Sequence, residues 1–190
     1  KTALNHFASD CYEKFGSCNN GDIIFDFDEF SKQPLDIKRR LISAAQKWIS
    51  NQKYRPRLSQ VDGLINSIDE KITFSGSGTI CYFHDNSIRI TREVNASVCE
   101  IEASNGVIYD RRWKLIAREN CKDLTIKCLG EDGYTFLEPC IRKKIPYKTI
   151  IALPALFNDN NLINFPFLDP KSKFKFNLCK QPFNQFLLDH

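Results

Sequence analysis

Residues 35–50 read LDIKRRLISAAQKWIS, and their spacing sets the class of the fold. Ile37, Leu41, Ala45, Trp48 and Ile49 recur on one helical stripe, leaving Lys38, Arg39, Ser43, Gln46, Lys47 and Ser50 for the other faces. An amphipathic helix with a basic exterior is expected. Upstream, Leu4, Phe7, Ala8, Cys11 and Phe15 predict a helix that Gly16 stops, after which Asn19-Asn20-Gly21 turns the chain. Downstream, Pro56 suits a first helical position, and Leu58, Val61, Leu64, Ile65 and Ile68 predict a third helix. After Asp69 the period shortens to two. Ile80, Tyr82, Ile88 and Ile90 flank the polar turn His84-Asp85-Asn86-Ser87, the pattern of a β-hairpin.

Strand signals dominate the rest: residues 106–109, 113–117, 124–128, 149–157, 162–165 and 173–177, separated by Gly, Asn and Asp turns, with a short helix over 139–144. The least patterned stretch, Glu93 to Ser104, is where a domain boundary is expected. The predicted class is α+β. Residues 1–97 form a small helical domain with a β-hairpin, and residues 98–190 a small, mostly antiparallel α+β domain.

The chain has 190 residues, 42% hydrophobic and 26% charged, the balance of a soluble globular protein. Its apolar stretch Ile150 to Phe157 is interrupted by Pro154 and is far shorter than the roughly 18 residues of a membrane helix. No membrane role is expected. The chain opens Lys1-Thr2-Ala3-Leu4, without a methionine or a signal peptide, and reads as part of something longer. Among its 8 cysteines, Cys99, Cys121, Cys128 and Cys140 crowd one region, but no C-x-x-C knuckle or paired histidine accompanies them. Buried free thiols in a reduced, cytoplasmic setting are expected, with no metal site.

Ser75-Gly76-Ser77-Gly78-Thr79 has the glycines of a phosphate loop but lacks the lysine and the helix that must follow, and reads as a softened strand end. Asp26-Phe27-Asp28-Glu29 could hold magnesium, yet carboxylates also gather where a helix begins because that end is partly positive, and capping is the expectation. His6, His84 and His190 are not paired in sequence with a serine or cysteine nucleophile, and no catalytic residue is assigned. Lys38, Arg39, Arg40 and Lys47 precede Lys53, Arg55 and Arg57, with Tyr54 between the last three, and Arg142-Lys143-Lys144 follows later. Cations neutralise phosphates and an exposed aromatic ring stacks on a base, while a merely solvated face would show the same residues. Arg111 and Arg112 adjoin Trp113, where stacking is as readily structural.

Several stretches together resemble tRNA(Ile)-lysidine synthetase. Lys53-Tyr54-Arg55-Pro56-Arg57-Leu58 and the hairpin ending Ile90-Thr91-Arg92-Glu93 look like its helical substrate-recognition domain. Ile141-Arg142-Lys143-Lys144-Ile145-Pro146, Leu153-Pro154-Ala155-Leu156-Phe157 and Leu162-Ile163-Asn164-Phe165-Pro166 look like its terminal domain, in the same order. The resemblance implies the tRNA-binding portion of a ligase that adenylates the wobble cytidine of tRNA(Ile) and joins lysine to it. The Ser-Gly-Gly-x-Asp-Ser loop of the family's N-terminal ATP-pyrophosphatase domain does not occur in this chain. ATP and Mg would therefore belong to that catalytic domain, a partner of this portion along with the tRNA; a homodimer is open. The implied tRNA contacts are Lys38, Arg39, Lys53, Tyr54, Arg55, Arg57, Arg142, Lys143 and Lys144. A non-catalytic protein-interaction or structural α+β domain is the alternative.

Overall fold

The computed structural model describes residues 2–189 and is a mixed α+β fold whose sheets are antiparallel throughout. It divides into two compact units, one taking the chain up to Ala96 and again from Gln181, the other being Ser97–Lys180.

In the first unit α1 (Thr2–Phe15) gives way at Gly16 to β1 (Gly16–Asn19), which turns through Asn20 and Gly21 into β2 (Asp22–Asp26). Both turn residues have positive φ, 52° and 76°, which the Asn-Gly pair tolerates and which suits the twist of a two-residue hairpin. The turn was legible in the sequence but its strands were not, because Ser17-Cys18-Asn19 is short, polar and exposed. Asp26 then caps α2 (Phe27–Ser31), the Glu29 N–H donating to its Oδ1 at 2.9 Å. That acidic stretch begins a helix.

The long helix α3 (Leu35–Ser50) buries Ile37, Leu41, Ala45, Trp48 and Ile49 as the pattern predicts. It also buries Gln46 and Ser50, expected on the outer faces: the Gln46 amide donates to Gly76 O and Thr79 Oγ1, and Ser50 Oγ donates to Gln46 O. Helix α4 (Leu58–Asp69) starts later than Pro56 suggested. Arg57 at its N-cap is still extended, with ψ 144°, so Pro56 lies in the approach. The strands β3 (Phe74–Gly76), β4 (Thr79–His84) and β5 (Ser87–Arg92) complete a sheet of order β1-β2-β5-β4-β3. Ser77 and Gly78, at φ 55° and 71°, close the β3–β4 hairpin, so the glycine-rich stretch is a turn between strands. Ile23, Phe25, Cys81, Ile88 and Ile90 share one buried face, and α1 and α3 pack on the sheet. The first unit is therefore helices on a five-stranded sheet, a larger strand content than the helical domain with one hairpin that was expected. Each fully buried aliphatic or aromatic side chain on that face contributes about 1.5–3 kcal/mol.

The second unit has strands β6 (Ile101–Glu102), β7 (Ile108–Tyr109), β8 (Trp113–Ala117) and β9 (Thr125–Cys128). The short helices α5 (Gly130–Thr135), α6 (Pro139–Arg142) and α7 (Tyr147–Ile150) precede β10 (Pro154–Asn158), β11 (Asn161–Asn164) and β12 (Phe174–Leu178). Of the strand expected over 149–157 only 154–157 is strand, because the Pro146 carbonyl accepts from the N–H groups of Thr149 and Ile150 and winds a helical turn before β10 begins. Two sheets result, β11-β10-β9-β6 and β12-β8-β7. Tyr109 joins them: its hydroxyl donates to Val98 O at 2.6 Å and accepts from Cys128 N–H at 3.1 Å. Burial, helped by neighbouring Cys128, raises that phenol far above its ordinary pKa. Phe167 packs edge-on to Trp113 at 5.1 Å and stacks on Phe176.

The second domain was expected to run to residue 190, but the chain leaves it after Lys180 and α8 (Phe183–Asp189) packs on α1 and α3. The Phe183 ring lies edge-on to Tyr12 at 4.8 Å and to Trp48 at 5.9 Å. Trp48 Nε1 donates to Gln181 O, Asn5 Nδ2 to Leu188 O and Ser9 Oγ to Asn184 O. Apolar burial between residues distant in sequence draws this end back. Phe183→Ala is expected to lower the stability of the first unit by about 3–5 kcal/mol. Urea unfolding followed by Trp48 fluorescence in a Trp113→Phe background checks it, and an unmoved midpoint would refute this account of the C-terminal helix.

Candidate nucleic-acid interface

The approach to α4 is exposed for local reasons. Asn51, left-handed at φ 57°, ends α3 with its N–H on Lys47 O, and the chain stays out of helix until Leu58. Lys53, Tyr54, Arg55 and Arg57 all face solvent, Tyr54 at 74% exposure, with Lys53 Nζ 5.6 Å from the centre of its ring. Among the described residues Lys53, Arg55 and Arg57 have no carboxylate partner. This short segment therefore presents three unneutralised cations around an open aromatic face.

The basic residues of α3 are placed differently. Arg39 forms a two-pronged pair with Asp62 of α4, Nε to Oδ1 at 2.7 Å and Nη2 to Oδ2 at 3.0 Å, and lies 3.8 Å from Asp36. Its hydrogen bond to Asp62 raises its pKa still further. Lys38 Nζ sits 3.8 Å from Asp69 and over the Phe30 ring, its side chain only 12% exposed. Both are implied RNA contacts, and in the structure both pair with acids of α4, which the sequence hid because those acids come from another helix. Arg40 bonds the side-chain oxygen of Asn5 rather than an acid.

In the second unit Arg142 is likewise engaged. Its Nε donates to Leu137 O at 2.7 Å, its Nη2 to Thr135 O at 2.5 Å, and the guanidinium lies over the Tyr134 ring, so it satisfies carbonyls left open past α5. Lys143 and Lys144 are exposed and without a carboxylate partner among the described residues. Arg112 is buried with its guanidinium over Trp113, a structural stack. Charge is unevenly shared. The first unit carries 13 Lys and Arg against 13 Asp and Glu, and the second 14 against 10, so the chain's net charge of +4 belongs to the second.

The cysteines depart from the expected buried set: Cys11 and Cys81 are buried, but Cys18, Cys99, Cys140 and Cys179 are exposed and Cys121 and Cys128 half-buried. Burial pushes the Cys81 thiol up to about 12. Among the described residues no group of three or more His, Cys, Asp or Glu side chains is placed to hold a metal ion. His84 lies in its turn beside Asp85, and His190 is outside the described residues. The glycine-rich stretch is folded as a hairpin turn between β3 and β4. No described helix is long and apolar enough to cross a membrane. Comparison with protein families, with curated proteins and with solved structures finds no match to this chain.

Arg142→Ala is expected to destabilise the second unit by about 1–3 kcal/mol, while Lys143→Ala changes its stability by less than about 0.5 kcal/mol. Parallel thermal melts decide, and equal melts would deny Arg142 its capping role. In the native protein at neutral pH, Cys18, Cys99, Cys140 and Cys179 are expected to react first with a colorimetric thiol reagent. Cys11 and Cys81 should react only on unfolding; rapid labelling of Cys81, located by peptide mapping, would contradict the described core.

Proposed function

We propose that this chain grips RNA, with the Lys53 to Arg57 segment as the main contact of its first unit and Lys143 and Lys144 contributing from the second. The observation that carries the proposal is the exposure of Tyr54 between cations that no acid neutralises among the described residues. Guanidinium and ammonium groups in that state displace counterions from phosphates, and the ring offers a base a stacking face whatever its identity. Lys38, Arg39 and Arg142 act in this reading as supports.

The motif order described above favours an isoleucine tRNA as the RNA, held for a cytoplasmic tRNA(Ile)-lysidine synthetase. Adenylation of the wobble cytidine and its joining to lysine belong to a separate ATP-pyrophosphatase domain, where ATP and Mg bind. The contribution of this portion is positional: free energy gained on remote parts of the tRNA holds one base at the reacting centre. A second reading, a protein-interaction domain, is favoured by the exposed Leu4, Leu35 and Leu58 of the first unit.

Gel-shift titration of the chain with tRNA separates the two. The double variant Arg55→Glu, Arg57→Glu is expected to weaken binding at least about tenfold and to reduce the slope of log affinity against log salt by about 2. Lys38→Ala should leave that slope unchanged. Failure to retain tRNA even at low salt, or a double variant that binds like the parent, would reject the RNA reading.

A further inference from the structure

Beside this segment the first unit has a notch of about 430 Å³ between α1, α3 and α4. One wall is apolar, made by Leu4, Pro56, Leu58 and Val61, with Leu4 42% and Leu58 59% exposed. Leucine surface left in water inside a concavity gains free energy when something flat and apolar covers it. Arg40 and Arg55 stand at the same notch, and neither has a carboxylate partner among the described residues. Arg39 also lines it but its charge is answered by Asp62 and Asp36. Asp36 and Ser43 add polar oxygens at the rim, able to accept a hydrogen bond from an exocyclic amino group.

An apolar wall, two guanidinium groups without a carboxylate partner among the described residues, of which Arg40 also bonds the Asn5 side chain, and a few hydrogen-bond acceptors in a space of this size match the parts of a nucleotide: a base to pack, phosphates to neutralise and a base edge to read. A base paired inside a duplex has both faces covered by its neighbours and cannot present them to such a wall. We propose that the notch receives one unpaired nucleotide of the bound RNA, its base against Leu4, Pro56, Leu58 and Val61 and its flanking phosphates at Arg40 and Arg55. The inference rests on the RNA reading above and narrows it. The first unit prefers a strand with an unstacked base to a regular helix.

The test measures the anisotropy of a labelled short oligoadenylate, and of a blunt RNA duplex with the same number of phosphates, as the intact chain is added. The single strand is expected to bind the more tightly. Ser43→Phe, which fills the notch from the side of α3, and Leu58→Ala, which strips an already exposed wall residue, should each weaken the single strand, the first by about tenfold. Duplex binding and the thermal melt should be unmoved by Leu58→Ala. Single-strand affinity unchanged in both variants overturns the proposal; if Arg55→Glu still weakens both RNAs, the RNA reading survives that loss. If neither RNA binds at low salt while an acidic amphipathic peptide does, the notch is a protein site and both conclusions fall.

Discussion

The first unit depends on Phe183 standing between Tyr12 and Trp48. Those three rings close a core to which α1, α3 and the C-terminal helix each contribute, and the Trp48 indole N–H donates to Gln181 O. Removing that strap would take the Gln181 acceptor from a buried donor and leave two helices with open apolar edges, a hydrogen bond of about 0.5–1.5 kcal/mol before any cavity is counted. The bond from Asn5 to Leu188 spans 183 positions, so the unit cannot be completed until almost the whole chain exists. The ordering entropy of so long a connection is lessened when the intervening unit is already compact, which favours a second unit that folds on its own contacts. Tyr109, stitched to Val98 and Cys128, gives that unit such an internal tie.

Packing of α4 on α3 settles which cations remain available. Asp62 and Asp69 are seven residues apart on α4, about two turns, and so meet Arg39 and Lys38 on the adjoining helix. The same geometry that buries Leu41 and Leu64 thus ties up Lys38 and Arg39 of the basic exterior of α3. Beyond Asn51 the backbone is outside the helix, and Lys53, Arg55 and Arg57 pair with no carboxylate among the described residues. A loop held at both ends by helices keeps its side chains placed yet unshared, which is why the proposed RNA contact falls there.

What the sequence disclosed follows the range of the forces involved. Helices α3 and α4 and the β4–β5 hairpin are written in local periodicity, and β8 has the bounds its alternation implied. Strand β1 carries no apolar alternation because it is a polar edge, visible only once β2 pairs with it. The return of α8 was invisible for another reason: an apolar stripe records that a partner exists, and nothing in it says which. The candidate site divides likewise. Lys53 to Arg57 is contiguous and could be read directly, whereas the neutralisation of Arg39 by an acid 23 positions away, and the capture of Arg142 by carbonyls, are tertiary facts.

The even balance of charge in the first unit bears on the proposed binding of RNA. A unit with as many acids as bases has little field beyond the Debye length, about 8 Å at physiological salt, and attracts RNA weakly from a distance. In the proposed RNA reading, affinity comes from contacts made after encounter, where a guanidinium without a carboxylate partner and a solvent-facing ring act at hydrogen-bonding and stacking range. Such contacts reward shape as well as charge, since each requires a phosphate and a base at a fixed separation. A uniformly basic surface would bind faster and discriminate less. Local segregation, with acids spent inside the helix pair and cations left on the loop, gives a neutral unit a small cationic patch without the repulsion that a large net charge would impose on its fold.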